Sequence, residues 1–138
     1  MSMSLTPYLA FNGNARQAMD FYQSVFGGEL TVSTFGDFKE MREVVADPDQ
    51  VMHAMLTTVF GLTLMASDGM DEQPRSGNVS LALSGDDEAE LRSYWSKLVV
   101  DGQIIQPLET AVWGDTFGMC TDRFGVRWML SIAGRPPQ

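Results

Sequence analysis

The stretch FGLTLMASD, residues 60–68, is matched near the other end of the chain by FGVRWMLSI, residues 124–132. Phenylalanine, glycine, methionine and serine stand at the same places in both stretches. Each stretch begins with a Phe-Gly turn signal and continues as a predicted strand. The match indicates that the chain contains two copies of one structural unit.

A predicted helix precedes each of these strands, with nine more residues between helix and strand in the first copy than in the second. We predict Asn14 and Asp87 as the N-caps of the two helices, followed at the third helical position by Gln17 and Glu90. The glycine pair at 27–28 ends the first helix. The apolar positions recur at helical spacing, and they are Ala15, Ala18, Tyr22, Val25 and Phe26 in the first copy and Leu91, Trp95, Leu98 and Val99 in the second.

The remaining apolar runs have the length and alternation of β-strands. In the first copy they cover residues 5–11, 29–35, 51–59 and 62–67, and in the second 103–112, 115–121 and 126–132. Each copy therefore follows the order βαβββ. We predict one domain, residues 1–138, made of units at about 5–68 and 77–132 with a linker at 69–76.

One helix covers only one face of a four-stranded sheet, so the other face needs a partner, which a second copy can supply. The predicted fold is α+β, with two tandem βαβββ units whose curved mixed sheets surround a concave cavity. A concave, partly apolar space of this kind suits a small-molecule ligand.

The charge and cysteine content limit the binding partners and the cellular location that we expect for the protein. The 9 basic and 18 acidic residues give a formal net charge of −9, so we expect neither nucleic acid nor an anionic membrane as a partner. The start MSMSLTPY does not resemble an export signal. The only cysteine, Cys120, cannot form an intrachain disulfide, and we interpret it as a small core residue. A cytoplasmic location is expected.

Four segments carry a resemblance to a known family: NARQAMDFYQSVF at 14–26, VMHAML around His53, residues 65–68, and WGDTFGMCTDRFGVRWML at 113–130. Together they resemble the PhnB-like branch of the vicinal oxygen chelate superfamily, which includes glyoxalase I, bleomycin-resistance proteins and extradiol dioxygenases. The resemblance covers nearly the whole chain. It implies the glyoxalase/bleomycin-resistance fold and a homodimer.

The resemblance also implies where a metal would be held. The metal enzymes of the superfamily take His and Glu ligands from the first and last strand of each unit. The matching places here fall near Pro7, Met65, Asn78 and Met129, and none of these is a usual ligand for Zn²⁺, Ni²⁺ or Fe²⁺. We therefore expect no metal and no cofactor at these places.

Six residues form the predicted ligand-binding set. His53, the only histidine, is either an acid–base group or a hydrogen-bonded core residue. Glu109 is either a partly desolvated carboxylate facing the cavity or an exposed carboxylate at a strand edge. The other four are apolar or aromatic candidates for contact with the ligand: Met65, Met129, Trp113 and Phe117.

Three functions remain open from the sequence. We favour binding of a small, partly apolar molecule without the usual metal site. The alternative is an enzyme of the superfamily that uses His53 and Glu109 in a non-standard or metal-free site, and a dimeric scaffold without a ligand is the third. The chain has no P-loop, G-x-G-x-x-G, C-x-x-C or G-x-S-x-G motif, so nucleotide binding, structural zinc and serine hydrolysis have no support.

Overall fold

The computed structural model describes residues 5–11, 13–37, 49–68, 79–112 and 114–134. The chain divides into two compact units, Met1–Pro74 and Arg75–Gln138, which we call unit 1 and unit 2. The predicted linker at 69–76 lies outside the described residues. Neither α-helix in the described part combines the length and apolarity that crossing a bilayer requires.

Unit 1 follows the predicted order of strand, helix and three strands. Its elements are β1 (Tyr8–Phe11), α1 (Ala15–Phe26), β2 (Glu29–Thr34), β3 (Val51–Thr57) and β4 (Thr63–Asp68), with a 3₁₀ turn at Phe35–Asp37. The sheet order is β1-β4-β3-β2. β1 and β4 are parallel, and the other neighbours are antiparallel.

Unit 2 repeats this arrangement. Its elements are β5 (Leu81–Gly85), α2 (Glu88–Leu98), β6 (Gln103–Thr110), β7 (Thr116–Thr121) and β8 (Arg127–Ile132), in the sheet order β5-β8-β7-β6. The predicted α+β class with two βαβββ units is confirmed. Most strands are shorter than predicted, whereas β4 keeps its length and lies one residue later. β1 begins at Tyr8 because Pro7 has no N–H to donate to a neighbouring strand.

The Phe-Gly turn closes the last hairpin of each unit with the same hydrogen bonds. The Gly61 amide donates to the Thr58 carbonyl at 3.0 Å, and the Gly125 amide donates to the Asp122 carbonyl at 3.0 Å. Both glycines have positive φ, at 81° and 89°, a conformation that favours glycine. The sequence match at 60–68 and 124–132 therefore reflects one hairpin built twice.

The helix of each unit packs on one face of its sheet. α1 contacts β2, β3 and β4, and the strand residues on that face, such as Ala54, Leu56 and Ala66, are fully buried. In unit 2, a Cβ added to Gly118 would lie 2.9 Å from Cη2 of Trp95. The large indole of α2 therefore requires glycine beneath it.

Asp68, and not Asn14, holds the start of α1. Asn14 occupies the N-cap position, as predicted, but its side chain makes no capping hydrogen bond. The buried Asp68 carboxylate accepts hydrogen bonds from the amides of Gly13 (2.8 Å), Ala15 (3.0 Å) and Val51 (3.0 Å). One side chain at the end of β4 thus holds both the start of α1 and the start of β3. Its negative charge also interacts favourably with the dipole at the N-terminus of α1.

We expect Asp68→Ala to destabilise the protein far more than Asp87→Ala, its matched control. Asp87 caps α2 as predicted, with one exposed bond from the Glu90 amide at 3.1 Å, and loss of such a cap costs about 1 kcal/mol. Asp68→Ala leaves three amides without their acceptor, each costing about 1–3 kcal/mol, so the total should reach at least about 3 kcal/mol. Urea unfolding measures both variants, and equal costs would contradict this role of Asp68.

Candidate functional site

Each sheet has a helix-free face, formed by the side chains that point away from its helix. Successive strand residues alternate between faces and paired residues share one, so the strand pairing assigns each residue to a face. In unit 1, Met65 pairs with Tyr8 on one side and Met55 on the other, and Met55 pairs with Thr31. These four residues form a row across the helix-free face, with two methionines at its centre.

The next row of this face is small and polar apart from one ring. His53 pairs with Ser33, and Ala10 pairs with Ser67. The β3–β4 pairs end at Ala54 and Ala66, and His53 and Ser67 are the next residues of the two strands. The row therefore places an imidazole beside the Ser33 hydroxyl, and Ser67 shares this face, next to the methionine row.

The rings of Tyr8 and His53 close over β4. Their strands, β1 and β3, lie on either side of β4, which implies a separation of about 9.6 Å for upright side chains. The ring centroids are only 6.1 Å apart, with the rings tilted by 47°. At least one of the two rings therefore leans inward over β4, the strand that carries Met65 and Ser67.

Ser67 has an unsatisfied side chain. The residue is 0% exposed, and its Oγ has no hydrogen-bond partner within the described part of the chain. A buried hydroxyl without a partner costs roughly 1–3 kcal/mol. The helix-free face of unit 1 therefore keeps a polar group whose hydrogen-bonding capacity is unused.

Unit 2 keeps the methionine pair and the serine of this face and differs at the place of His53. Met119 pairs with Met129, and Phe117 pairs with Ser131 on one side and Glu109 on the other. In the sequence repeat that aligns 60–68 with 124–132, these residues have counterparts in unit 1. Met119, Met129 and Ser131 match Met55, Met65 and Ser67, whereas Phe117 stands in the place of His53. The imidazole of unit 1 is thus replaced by an apolar ring.

Five of the six predicted site residues lie on these helix-free faces. His53 and Met65 belong to unit 1, and Glu109, Phe117 and Met129 belong to unit 2. Glu109 is exposed on the edge strand β6, which favours the exposed-carboxylate alternative. Trp113 lies outside the described residues. The role of the set in binding stays a prediction.

Met55 and Met119, the partners of the two predicted methionines, were not predicted from the sequence. They occupy equivalent places in the repeat, so extending the alignment to the middle strands would have found them. The resemblance matched Pro7 to the place of a metal ligand on the first strand. The residue level with Met65 on β1 is Tyr8, one residue further along the chain.

The other two places matched from the family lie in unit 2. Asn78 is outside the described residues. The residue level with Met129 on the first strand of the unit is Ala82. Its methyl group offers no ligand to a metal.

Cys120 lies on the opposite, helix-covered face of unit 2, paired with the buried Trp128. Its side chain is buried. Burial, with a smaller contribution from the charge of Asp122, raises the pKa of the thiol to about 11. Because the thiolate is the reactive form of cysteine, the raised pKa makes this thiol unreactive. Cys120 is a buried core residue, as predicted from the sequence.

We expect Cys120 in the native protein to react slowly with a disulfide reagent such as DTNB at pH 8. With a pKa of about 11 the thiol is almost fully protonated there, and it is shielded by burial. Unfolding in urea returns the pKa to about 8.5, and the reaction should then become rapid. Stopped-flow absorbance measures both rates. Rapid labelling without urea would contradict the core placement.

The family is decided by comparison with known proteins. A family model described as 3-demethylubiquinone-9 3-methyltransferase matches residues 3–131. The chain belongs to this family. It is 29% identical to the protein YjdN of Escherichia coli (strain K12), over 98% of this chain and 99% of that protein.

Solved structures of similar proteins have the same fold. The crystal structure of PA1353 from Pseudomonas aeruginosa is 37% identical, with a TM-score of 0.83 over 95% of this chain and 98% of that one. The PhnB protein from Bacillus cereus is 28% identical, with a TM-score of 0.76 over 95% of this chain and 100% of that one. The predicted resemblance to PhnB-like proteins is confirmed.

A more distant structure shows the wider fold. FosX, a fosfomycin resistance protein from Listeria monocytogenes, has a TM-score of 0.62 at 15% identity, over 96% of this chain and 93% of that one. At this identity the likeness concerns the fold alone. The predicted glyoxalase/bleomycin-resistance fold is confirmed.

The described residues do not fit a hard divalent ion. FosX was crystallised with Mn(II) and sulfate, and hard ions of this kind prefer carboxylate, carbonyl and water oxygens. The row around Met65 instead contains a second methionine, Tyr8 and Thr31. No three His, Cys, Asp or Glu side chains come together in the described ranges.

Proposed function

We propose that the protein binds a small, partly apolar molecule on its helix-free faces. The observation that carries this proposal is the methionine pair at the centre of each face, Met55 with Met65 and Met119 with Met129. All four residues are half-buried. Methionine side chains are flexible and polarisable, so they form an apolar surface that adapts to a ligand.

The face of unit 1 adds polar groups that orient a ligand. The rings of Tyr8 and His53 lie 6.1 Å apart, on the strands at either side of β4, and the unsatisfied Ser67 hydroxyl belongs to the same face. Ligand sites commonly combine apolar lining with a few polar groups of this kind. A molecule with an apolar body and one hydrogen-bonding oxygen matches this arrangement.

A thermal-shift screen tests the proposal. The probes are small aromatic compounds that carry a carboxylate, phenol or phosphonate group. A compound present at about 100 times its dissociation constant adds about 2.7 kcal/mol of stability. We expect His53→Ala and Met65→Glu to reduce the shift by removing an anchor and by charging the apolar centre.

The matched control for the screen is Ser96→Ala, on the exposed surface of α2, which should leave the shift unchanged. A panel without any stabilising compound would contradict binding. A shift that survives both site variants would contradict its placement on unit 1.

An enzyme with a metal-free site is the second candidate. The observation in its favour is the position of His53, the only imidazole of the chain, beside the hydroxyl of Ser33 and on the same face as Ser67. Methyl transfer, which the family description names, is not proposed because no G-x-G-x-x-G motif for a nucleotide-type donor occurs. Conversion of a bound compound, followed by mass spectrometry and lost in His53→Ala, would favour this candidate.

We also propose that the protein is a cytoplasmic homodimer. Ile104 and Ile105, each 50% exposed, lie on β6, which is an edge strand of the unit 2 sheet. Exposed apolar edges tend to pair with another chain. A single buried cysteine suits a reducing compartment.

Sedimentation equilibrium should therefore give twice the chain mass of 15.2 kDa, because pairing of two chains would cover the exposed edge. Ile105→Lys, which places a charge on that edge, should weaken the association. A monomer at micromolar concentration would contradict the dimer.

A further inference from the structure

We propose that Met55, Met65 and His53 form a binding site for a soft monovalent metal ion, copper(I) or silver(I). The three side chains share the helix-free face of unit 1. This inference goes beyond the proposed function, because it concerns the metal ion alone and requires no organic ligand. It departs from the expectation of no metal at Met65, which was based on Zn²⁺, Ni²⁺ and Fe²⁺; a soft monovalent ion has the opposite ligand preference.

The backbone brings the two sulfur atoms within reach of one ion. Met55 and Met65 are direct partners in the antiparallel β3–β4 pair, where Cβ atoms lie about 4.5–5.5 Å apart. Each methionine has three rotatable side-chain bonds. Both thioethers can therefore turn toward a common point above the sheet without any change in the backbone.

His53 supplies the third ligand. It lies two residues before Met55 on the same strand and on the same face. Its ring lies 6.1 Å from the Tyr8 ring, which belongs to the strand on the other side of β4, and β4 carries Met65. The imidazole thus lies on the same face as the methionine pair, in the neighbouring row.

The chemistry of this ligand set selects the ion. Thioether sulfur is a soft ligand that selects copper(I), and imidazole also binds copper, whereas Mg²⁺, Ca²⁺ and Mn²⁺ prefer oxygen. All three side chains are half-buried, so the site is partly shielded from water but remains accessible. Unit 1 also contributes most of the formal net charge of −9, which attracts cations.

Unit 2 provides a control within the same chain. Met119 and Met129 are paired as Met55 and Met65 are, but Phe117 occupies the place of His53. If the imidazole is needed, unit 2 should bind no soft ion. At the three proposed ligand positions the two units then differ in a single side chain, which can be exchanged in either direction. Beside these positions, Ala82 and Gln106 stand where unit 1 has Tyr8 and Thr31.

The first experiment is a silver(I) titration in buffer without chloride or thiol reductant, followed by native mass spectrometry. Cys120→Ala serves as the background, so that the buried thiol does not compete for silver. We expect one equivalent per chain in this background, none after His53→Phe, and two after Phe117→His. Met119→Leu together with Met129→Leu should leave the single equivalent in place.

The second experiment uses the wild-type chain, in case Cys120→Ala fails to fold. In spectra of ¹³C-labelled methionine methyl groups, silver(I) should first shift the signals of Met55 and Met65. No binding, two equivalents without Phe117→His, or earlier shifts of Met119 and Met129 would each overturn the proposal. The titration contains no organic ligand and the compound screen contains no added metal, so that either proposal can fail without the other.

Discussion

The structure depends on the strand register that the Phe-Gly turns impose. The bonds from Gly61 to Thr58 and from Gly125 to Asp122 close the two hairpins identically, and the register then fixes the face of every strand residue. Ala54 and Ala66 point to the helix side, where small side chains let α1 pack closely. A slip of one residue would put methionines under the helix and these alanines on the outer face.

Both units have the same hairpins and strand order, but they differ in the contacts that hold the helix to the sheet. Unit 1 holds its helix with the buried Asp68, which bonds three amides from distant segments, whereas unit 2 uses the exposed, local cap of Asp87. Trp95 over Gly118 stands where the first copy has Tyr22 and Ala54, so a larger ring accompanies a smaller strand residue. The summed side-chain volume of the helix residue and the strand residue is therefore similar in the two units.

Stability and proposed binding are divided between the two faces of each sheet. The helix-covered face contains the buried apolar core, including Cys120 and Trp128 in unit 2. The helix-free face contains half-buried methionines and, in unit 1, an imidazole and the unsatisfied Ser67 hydroxyl. This division allows His53 in one unit and Phe117 in the other without a change in the helix-covered core of either unit.

The sequence by itself determined the repeat, the order of elements and nearly all helix and strand positions, because turn glycines and hydrophobic periodicity are local signals. It also identified His53, Met65, Phe117 and Met129 as site candidates. It could not assign faces on β3, since apolar residues occur on both sides of that strand and a register shift after Ser33 changes the alternation. Only the tertiary structure decided that Asp68 holds α1 and that the ring of Tyr8 lies close to that of His53, because both depend on contacts between residues that are distant from each other in the chain.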